Sequence, residues 1–289
     1  MKRFGEAVTE GFRTVYEGRL LHTEQTPFQK LDVYEHPHFG LVLTLDDLIQ
    51  TTERDEFCYH EMLVHPTLAS LDRVERVLII GGADGGALRR VLEHNPREAV
   101  MCEIDEAVVR VCREYMPGIA DGALDDPRAR VVIGDGAAFV ARHEASFDAV
   151  IVDGSDPIGP ATVLFGETFF DSCRRALRPG GVFVTQSGSP MFQADEFRMV
   201  VANATASFPI AEPYVSFVPT YPGVLWSYVT GATGEPVSAV SPDSVRARLD
   251  ARGVSTRFYT PDVHRSVFAL PGFVEEIRAS AVTASVPHG

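Results

Sequence analysis

Apolar and polar residues alternate over the first fifty positions of the chain, and beyond them the pattern changes. In "FQKLDVYEHPHFGLVLTLDDLIQ", Leu31 and Val33, then Leu41, Leu43 and Leu45, fall at every second position around a turn-like "EHPHFG". A period of two puts side chains on alternate faces of a strand, so this stretch predicts an antiparallel hairpin in a small sheet. "TTERDEFCYHEMLVHPTLAS" follows as a helix, with Thr or Asp as its cap and acids in its first turn. From residue 74 the strand-like runs "RVLII", "AVMCEI", "RVVIGD", "DAVIVDG" and "GVFVTQSG" alternate with the helix-like runs "GALRRVLEH", "EAVVRVCREYM", "GAAFVARHE" and "GETFFDSCRRAL". The last helix is expected to close at "RPGG", and "YVSFVP" with "LWSYVTG" reads as a final strand pair. Continuous Val/Ile runs separated by amphipathic helices predict an α/β fold, a parallel sheet covered on both faces. The last ten residues read as a loose tail, and no internal repeat or low-complexity segment is visible.

Composition narrows the partners. With 26 Lys+Arg against 40 Asp+Glu, the net charge is −14. Such a surface repels nucleic acid and acidic membranes and attracts small cations. The cysteines Cys58, Cys102, Cys112 and Cys173 form no C-x-x-C pair, which predicts buried thiols in a reducing compartment. The start "MKRFGEAVTEGF" has no apolar run after its basic residues, and the longest apolar runs are strand-length. A cytoplasmic protein is expected.

In a doubly wound sheet, ligands bind outside the carboxyl ends of the strands, where strand order reverses. The turns at those ends are Gly81 to Gly86, Glu103 to Asp105, Asp135, and Asp153 to Asp156, and every one carries carboxylate. A glycine turn between strand and helix usually holds phosphate, yet "GGADGG" carries its own acid, Asp84. It does not fit G-x-G-x-x-G either, because Ala83 or Asp84 falls on the second glycine. Glu103, about twenty residues on, is placed to take two ribose hydroxyls, which marks a nucleoside without saying which cofactor carries it. Asp153 leaves a fourth strand expected beside the first, so Asp84 and Asp153 would share one small volume and call for a cation between them. "HEMLVH" is H-E-x-x-x-H: His60 and His65 lie about 500° apart around a helix and miss a common zinc-binding face, so no metal is expected.

Taken together, these stretches resemble the spermidine synthase family, the polyamine aminopropyltransferases. The resemblance runs through "FQKLDVYE", "LDDLIQTTERDEFCYHEML", "GGADGGALRRV", "CEIDEAVV", "IGDGAAFV", "VDGSDPIGPA", "VTQSGSP" and "PTYPG" to "FYTPDVHRSVFALP". It implies a small antiparallel β-domain, here residues 1–53, followed by a Rossmann-like, methyltransferase-type catalytic domain over 54–289. It implies decarboxylated S-adenosylmethionine as co-substrate with no permanently bound cofactor, a small cationic amine as partner, and a homodimer or homotetramer. By the same resemblance, Gln29, His60, Glu103, Asp135, Gly136 and Pro160 hold the nucleoside, and Asp84 the amine of its aminopropyl arm. Asp153 and Tyr59 orient and deprotonate the attacking amine, and Gln50, Asp156, Gln186 and Tyr221 line its channel. Of the aromatics this leaves unassigned, Tyr115 and Tyr214 read as core packing and Trp226 as a further candidate wall of that channel.

Three positions depart from the family pattern: Ala83 in the glycine turn, Gly154 beside the proposed base, and Val224 after "TYPG". Two rival readings remain at this stage, a polyamine N-methyltransferase using intact S-adenosylmethionine and a non-catalytic polyamine or nucleoside binder. Which amine serves as acceptor (putrescine, agmatine, cadaverine or a longer polyamine) stays open.

Overall fold

Two sheets carry the chain in the computed structural model, which describes residues 1–155 and 159–284. The first sheet holds β1 (Lys2–Phe4), β4 (Tyr16–Gln25), β5 (Lys30–His36), β6 (Gly40–Leu45) and β7 (Leu48–Thr52), antiparallel in that order, with β2 (Ala7–Thr9) and β3 (Phe12–Arg13) as a small side ribbon. The predicted hairpin is β5–β6, with Val33 opposite Leu43. Both faces of β5 are covered, since Asp32 and Tyr34 are buried as well as Leu31 and Val33. Leu31, Val33 and Leu43 pack into the core of the larger unit, whereas Tyr34, Val42 and Ile49 close a separate small cluster with Phe4 on the opposite face.

Helix α1 (Glu56–Ala69) then enters the main body, and every residue in it except Phe57 is buried. Asp55 occupies its N-cap position but does not cap it. The carboxylate instead accepts from the Thr220 backbone N–H at 2.9 Å and from the hydroxyls of Thr220 and Thr52 at 2.7 and 2.6 Å. The predicted cap thus became a tether for the loop around residue 220.

The second sheet is built from β8 (Arg76–Gly81), β9 (Glu98–Glu103), β10 (Ala129–Ile133), β11 (Phe147–Asp153), β12 (Leu177–Gln186), β13 (Ile210–Phe217) and β14 (Leu225–Ala232). Its order is β10-β9-β8-β11-β12-β14-β13. The first five strands are parallel, and the expected closing pair, β13–β14, runs antiparallel. Residues alternate between two cores. Val77, Ile79 and Ile151 face α1, α2 (Gly86–Glu93) and α3 (Glu106–Tyr115). Leu78, Ile80 and Val152 face the opposite side. The short α4 (Pro117–Ala120) follows α3, and α5 (Gly136–Val140) is briefer than the helical pattern of residues 136–144. Helix α6 (Glu167–Ala176) packs on the second face with α7 (Ala194–Ser207).

"RPGG" does not close a helix outside the sheet. It lies within β12, where Gly180 takes φ +82° and the pairing with β11 slips between Phe147 and Ala149. Three helices end the chain: α8 (Pro242–Arg252), α9 (Pro261–Val267) and α10 (Gly272–Ala284). The last runs through half of the stretch expected to be a loose tail, and its Val274 and Ala281 are fully buried. All four cysteines are buried and free. Among the described residues no helix is long and apolar enough to cross a membrane.

Candidate active site

Strand order reverses between β8 and β11, whose ends pair as Gly81 opposite Asp153. A cavity of about 260 Å³ opens there. It is lined by Gln29, Gln50, Tyr59, His60, Asp84, Glu103, Asp135, Gly136, Asp153 and Tyr221, drawn from both sheets and from α1. A smaller chamber of about 30 Å³ continues past Gln50, Tyr59 and Tyr221 to Gln186, Trp226 and Glu6. The structure therefore brings all the anticipated residues it describes to one continuous cleft. Asp156 and the side chain of Pro160 lie outside the described residues. Of the unassigned aromatics, Tyr214 is core, with its hydroxyl donating to the Met62 carbonyl at 2.7 Å. Tyr115 packs at the core's edge against His22.

The acid in the glycine turn has a double use. One Asp84 oxygen accepts from the Gly86 backbone N–H at 2.8 Å, so the start of α2 is supplied with an anion by the chain itself. The other oxygen lies 3.5 Å from His60 Nε2. Asp153 Oδ2 is 3.9 Å from the same nitrogen, and Tyr59 donates a hydrogen bond to the Asp153 carboxylate. His60, Asp84 and Asp153 bring donor and acceptor atoms within 4.8 Å of one another, a cage suited to a compact positive charge.

Two glycines make this approach possible. Gly81 has φ +83°, and a Cβ there would lie 2.2 Å from the Asp153 carbonyl oxygen. At Gly86 a Cβ would sit 2.2 Å from the His60 ring. Ala83, in contrast, is not at positive φ and is accommodated within the turn.

Charge in the cage follows from burial and proximity. Burial opposes a charge on His60, but Asp84, Glu56 and Asp153 outweigh it and push its pKa up to about 9. For Asp153, burial raises the pKa to about 6; His60 pulls it down, Asp84 pushes it up, and the Tyr59 hydrogen bond pulls it down again. Burial also drives the Tyr59 hydroxyl well above its usual range, so it stays a donor. Glu103 is pushed up to about 7, chiefly by burial, although the Asp105 backbone N–H bonds its carboxylate at 2.8 Å.

Some positioning contacts were not legible in sequence. Asp105 caps α3 through one oxygen and with the other accepts from Gln29 at 3.1 Å and Thr26 at 2.7 Å, joining the first sheet to the Glu103 end of the cleft. Asp135 caps α5 by accepting from the N–H groups of Ala137 and Ala138. Glu6 is buried at the far end of the smaller chamber, brought there by the strands around it. Nothing near Glu6 in sequence signals chemistry. His65, the second histidine of "HEMLVH", turns away from the cleft and meets His94 at 2.9 Å.

The departures separate in space. Gly154 lines the cleft, where a Cβ would come within 3.3 Å of Leu164. Val224 lies outside it, exposed, at φ +66°. A β-branched residue in the left-handed region is strained. Val224→Gly is expected to stabilise the fold by about 1 kcal/mol, after the entropic cost of glycine, read as a higher urea midpoint.

A strand-order reversal with an acid at the end of the second strand and two more acids around one notch defines a methyltransferase-type α/β protein with an anionic cleft. Comparison with known proteins gives the family. Residues 56–239 match the description "Spermine/spermidine synthase domain", and residues 5–53 match "Spermidine synthase tetramerisation domain". The chain is 42% identical to "Polyamine aminopropyltransferase 1" of Pseudomonas aeruginosa, over 95% of this chain and 96% of that one. It is 44% identical to the polyamine aminopropyltransferase of a Ruegeria species, covering 89% and 91%. Its fold superimposes with a TM-score of 0.92 on a spermidine synthase solved in complex with the transition-state analogue AdoDATO, at 35% identity, covering 96% and 95%. The spermidine synthase of Thermotoga maritima gives 0.89 at 34% identity, covering 96% and 94%. The chain belongs to the spermidine synthase family, a family of aminopropyltransferases.

Proposed function

We propose that this protein transfers the aminopropyl group of decarboxylated S-adenosylmethionine to a diamine, putrescine, yielding spermidine and 5'-methylthioadenosine. The observation that carries the reading is the pair Asp84 and Asp153, both within reach of His60 in a shielded cleft whose other end carries Glu103. Glu103 takes the two ribose hydroxyls, Asp135 the adenine amino group, and Gln29, Gly136 and Pro160 close around the nucleoside. Asp84, with His60 beside it, receives the ammonium of the aminopropyl arm.

The acceptor enters past Gln50, Gln186, Tyr221 and Trp226, with Asp156 assigned to the same channel. Tyr221 packs edge-on against Trp226 with centroids 4.6 Å apart, and Tyr59 lies 5.6 Å from Tyr221, giving aromatic walls for a methylene chain. A diamine needs an anion for each end. Asp153 serves the attacking end, and Glu6 at the far end of the chamber serves the other.

The chemistry is an in-line displacement. The amine lone pair forms the N–C bond as the C–S bond breaks, its electron pair returning to sulfur as a neutral thioether. An amine of pKa about 10.4 is neutral in only about one molecule in 2500 at pH 7, a cost of about 4.6 kcal/mol. Transfer of its proton to Asp153 in the ground state remains uphill by ~6 kcal/mol even with the raised pKa of that carboxyl. The attacking species is therefore the neutral amine, already one proton short, and a second proton passes to Asp153 as the new bond makes the nitrogen cationic and acidic. Tyr59 fixes the carboxylate that receives it, and alignment of nitrogen, carbon and sulfur lowers the barrier further.

Turnover measured across putrescine, cadaverine, agmatine and spermidine, with each donor supplied separately, tests the assignment. Methylthioadenosine formed fastest with putrescine supports it. S-adenosylhomocysteine formed from intact S-adenosylmethionine, or no turnover with any pair, overturns it.

A pH dependence follows from Glu103. Its pKa is raised to about 7 in the empty cleft, and only the carboxylate accepts both ribose hydroxyls. Nucleoside binding then displaces a proton below that pH. Affinity for methylthioadenosine, which lacks the amine, is expected to fall towards tenfold per unit as pH drops below about 7 and to level off above it. Calorimetric titration between pH 5.5 and 8.5 checks this, and a flat profile would contradict it.

Residues 1–53 and 54–289 are proposed as the two domains, with the first mediating assembly into a homotetramer. Light scattering of the purified chain tests that assembly, and a monomeric mass would rule it out. The net charge of −14 suits a cationic substrate and not a nucleic acid.

A further inference from the structure

A line of buried charges leads away from the cleft through His60. Glu56, one turn earlier on α1, approaches His60 Nδ1 at 2.8 Å through Oε2. Its other oxygen lies 3.2 Å from Arg90 Nη2 on α2. Arg90 is 3% exposed and also pairs with Glu93 at 2.9 Å and with Glu61 at 3.8 Å. Glu61 is anchored in turn by the backbone N–H groups of Arg257, Phe258 and Tyr259. None of Glu56, Arg90, Glu61 and Glu93 lines the cavity.

A pair joining two helices serves stability poorly when it is this deep. Desolvating the ions offsets most of their attraction, and packed apolar side chains would hold α1 on α2 as well. What the line does do is act on the ring. Gly86 leaves the space the imidazole occupies, so packing sets one face of it. Glu56 sets its rotation by holding Nδ1, which leaves Nε2 pointing at Asp84 and Asp153. Burial alone would raise the Glu56 carboxyl, and the contacts with His60 and Arg90 reverse that and lower it. The groups facing the ring are Glu56 and Tyr59 from α1, Asp84 from the turn before α2, and Asp153 from β11, with Arg90 of α2 behind Glu56.

We propose that Glu56 and Arg90 are positioning residues for the transfer reaction: Arg90 keeps Glu56 ionised, and Glu56 keeps the His60 ring charged and aimed into the notch between Asp84 and Asp153. In the empty cleft the imidazolium stands in for the substrate ammonium. It keeps a positive charge beside both carboxylates until an amine arrives. The proposal rests on the aminopropyl-transfer reading for its catalytic consequence, while its electrostatic part is independent of it.

The test is histidine titration by NMR of the unliganded protein, together with steady-state rates and methylthioadenosine binding. Glu56→Gln keeps the size and an acceptor for Nδ1 but removes the charge. The His60 midpoint is expected to fall by about one pH unit or more and turnover by about tenfold, with methylthioadenosine affinity unchanged. Arg90→Gln should move both quantities the same way, and Arg90→Lys should restore most of each. Should Arg90→Gln not fold, Glu56→Gln still decides. An unmoved His60 midpoint in Glu56→Gln overturns the proposal even if the enzyme transfers aminopropyl groups normally. Loss of nucleoside affinity in step with turnover also overturns it, because that pattern marks a purely structural role. A shifted midpoint in a protein that transfers nothing would leave the electrostatic line standing and sink the reading of the reaction.

Discussion

Replacing Asp153 with asparagine is expected to lower turnover about a thousandfold while donor binding changes by no more than a few-fold. The side chain sits at the last position of β11, opposite Gly81, and is fixed there by the tight β8 turn. Asparagine preserves that shape and still receives the Tyr59 hydrogen bond through its carbonyl. It cannot take the proton that the nitrogen sheds as the new bond forms, and it presents no charge to hold the attacking amine. Burial and Asp84 raise the carboxyl here, which makes it a better proton acceptor than a surface aspartate. Initial rates at saturating donor and amine, alongside calorimetric titration with donor, separate the two quantities. Near-normal rates would take the residue out of the mechanism.

The second large effect is on the choice of donor. Asp84→Asn is expected to weaken decarboxylated S-adenosylmethionine and to narrow its advantage over intact S-adenosylmethionine by about a hundredfold, or ~2.7 kcal/mol. On the proposed reading the wild-type carboxylate attracts the ammonium of the first and repels the carboxylate of the second, in a cleft where little water screens either. The fold should survive, because an asparagine oxygen can still accept from Gly86 N–H, the 2.8 Å bond that ties the turn to α2. Competition of the two nucleosides in the same assay gives the ratio directly. An unchanged ratio would mean that selection lies elsewhere in the cleft.

Much of this site was legible because its chemistry sits at strand ends. Val/Ile runs mark the strands, so Glu103, Asp135 and Asp153 are recognisable as the acids just beyond them, and the glycines of "GGADGG" expose Asp84 between strand and helix. Acids at several tips of one parallel sheet must converge, since those tips share an edge. Glu6 and Asp105 illustrate the opposite case. Glu6 lies in the link between β1 and β2, which has no pattern of its own, and it reaches the smaller chamber only because the first sheet folds over the second. Asp105 reads as an ordinary helix cap, and its second oxygen acquires Gln29 and Thr26 from residues far away in the chain. Asp55 reads the same way, yet its carboxylate serves Thr220 instead of the helix.

Local periodicity, turn chemistry and the signs of the charges were therefore determined by the sequence alone, because each depends on neighbours within a few residues. They suffice for the parallel sheet, the edge where the acids gather and the sign of the charge there. Tertiary structure decided how those charges act on one another. The interval between His60 and each aspartate, the burial that raises Glu103, and the choice of Arg90 as partner for Glu56 all arise from segments that meet only on folding. Electrostatic energy varies with distance and with the exclusion of water, and neither quantity is written in the order of residues.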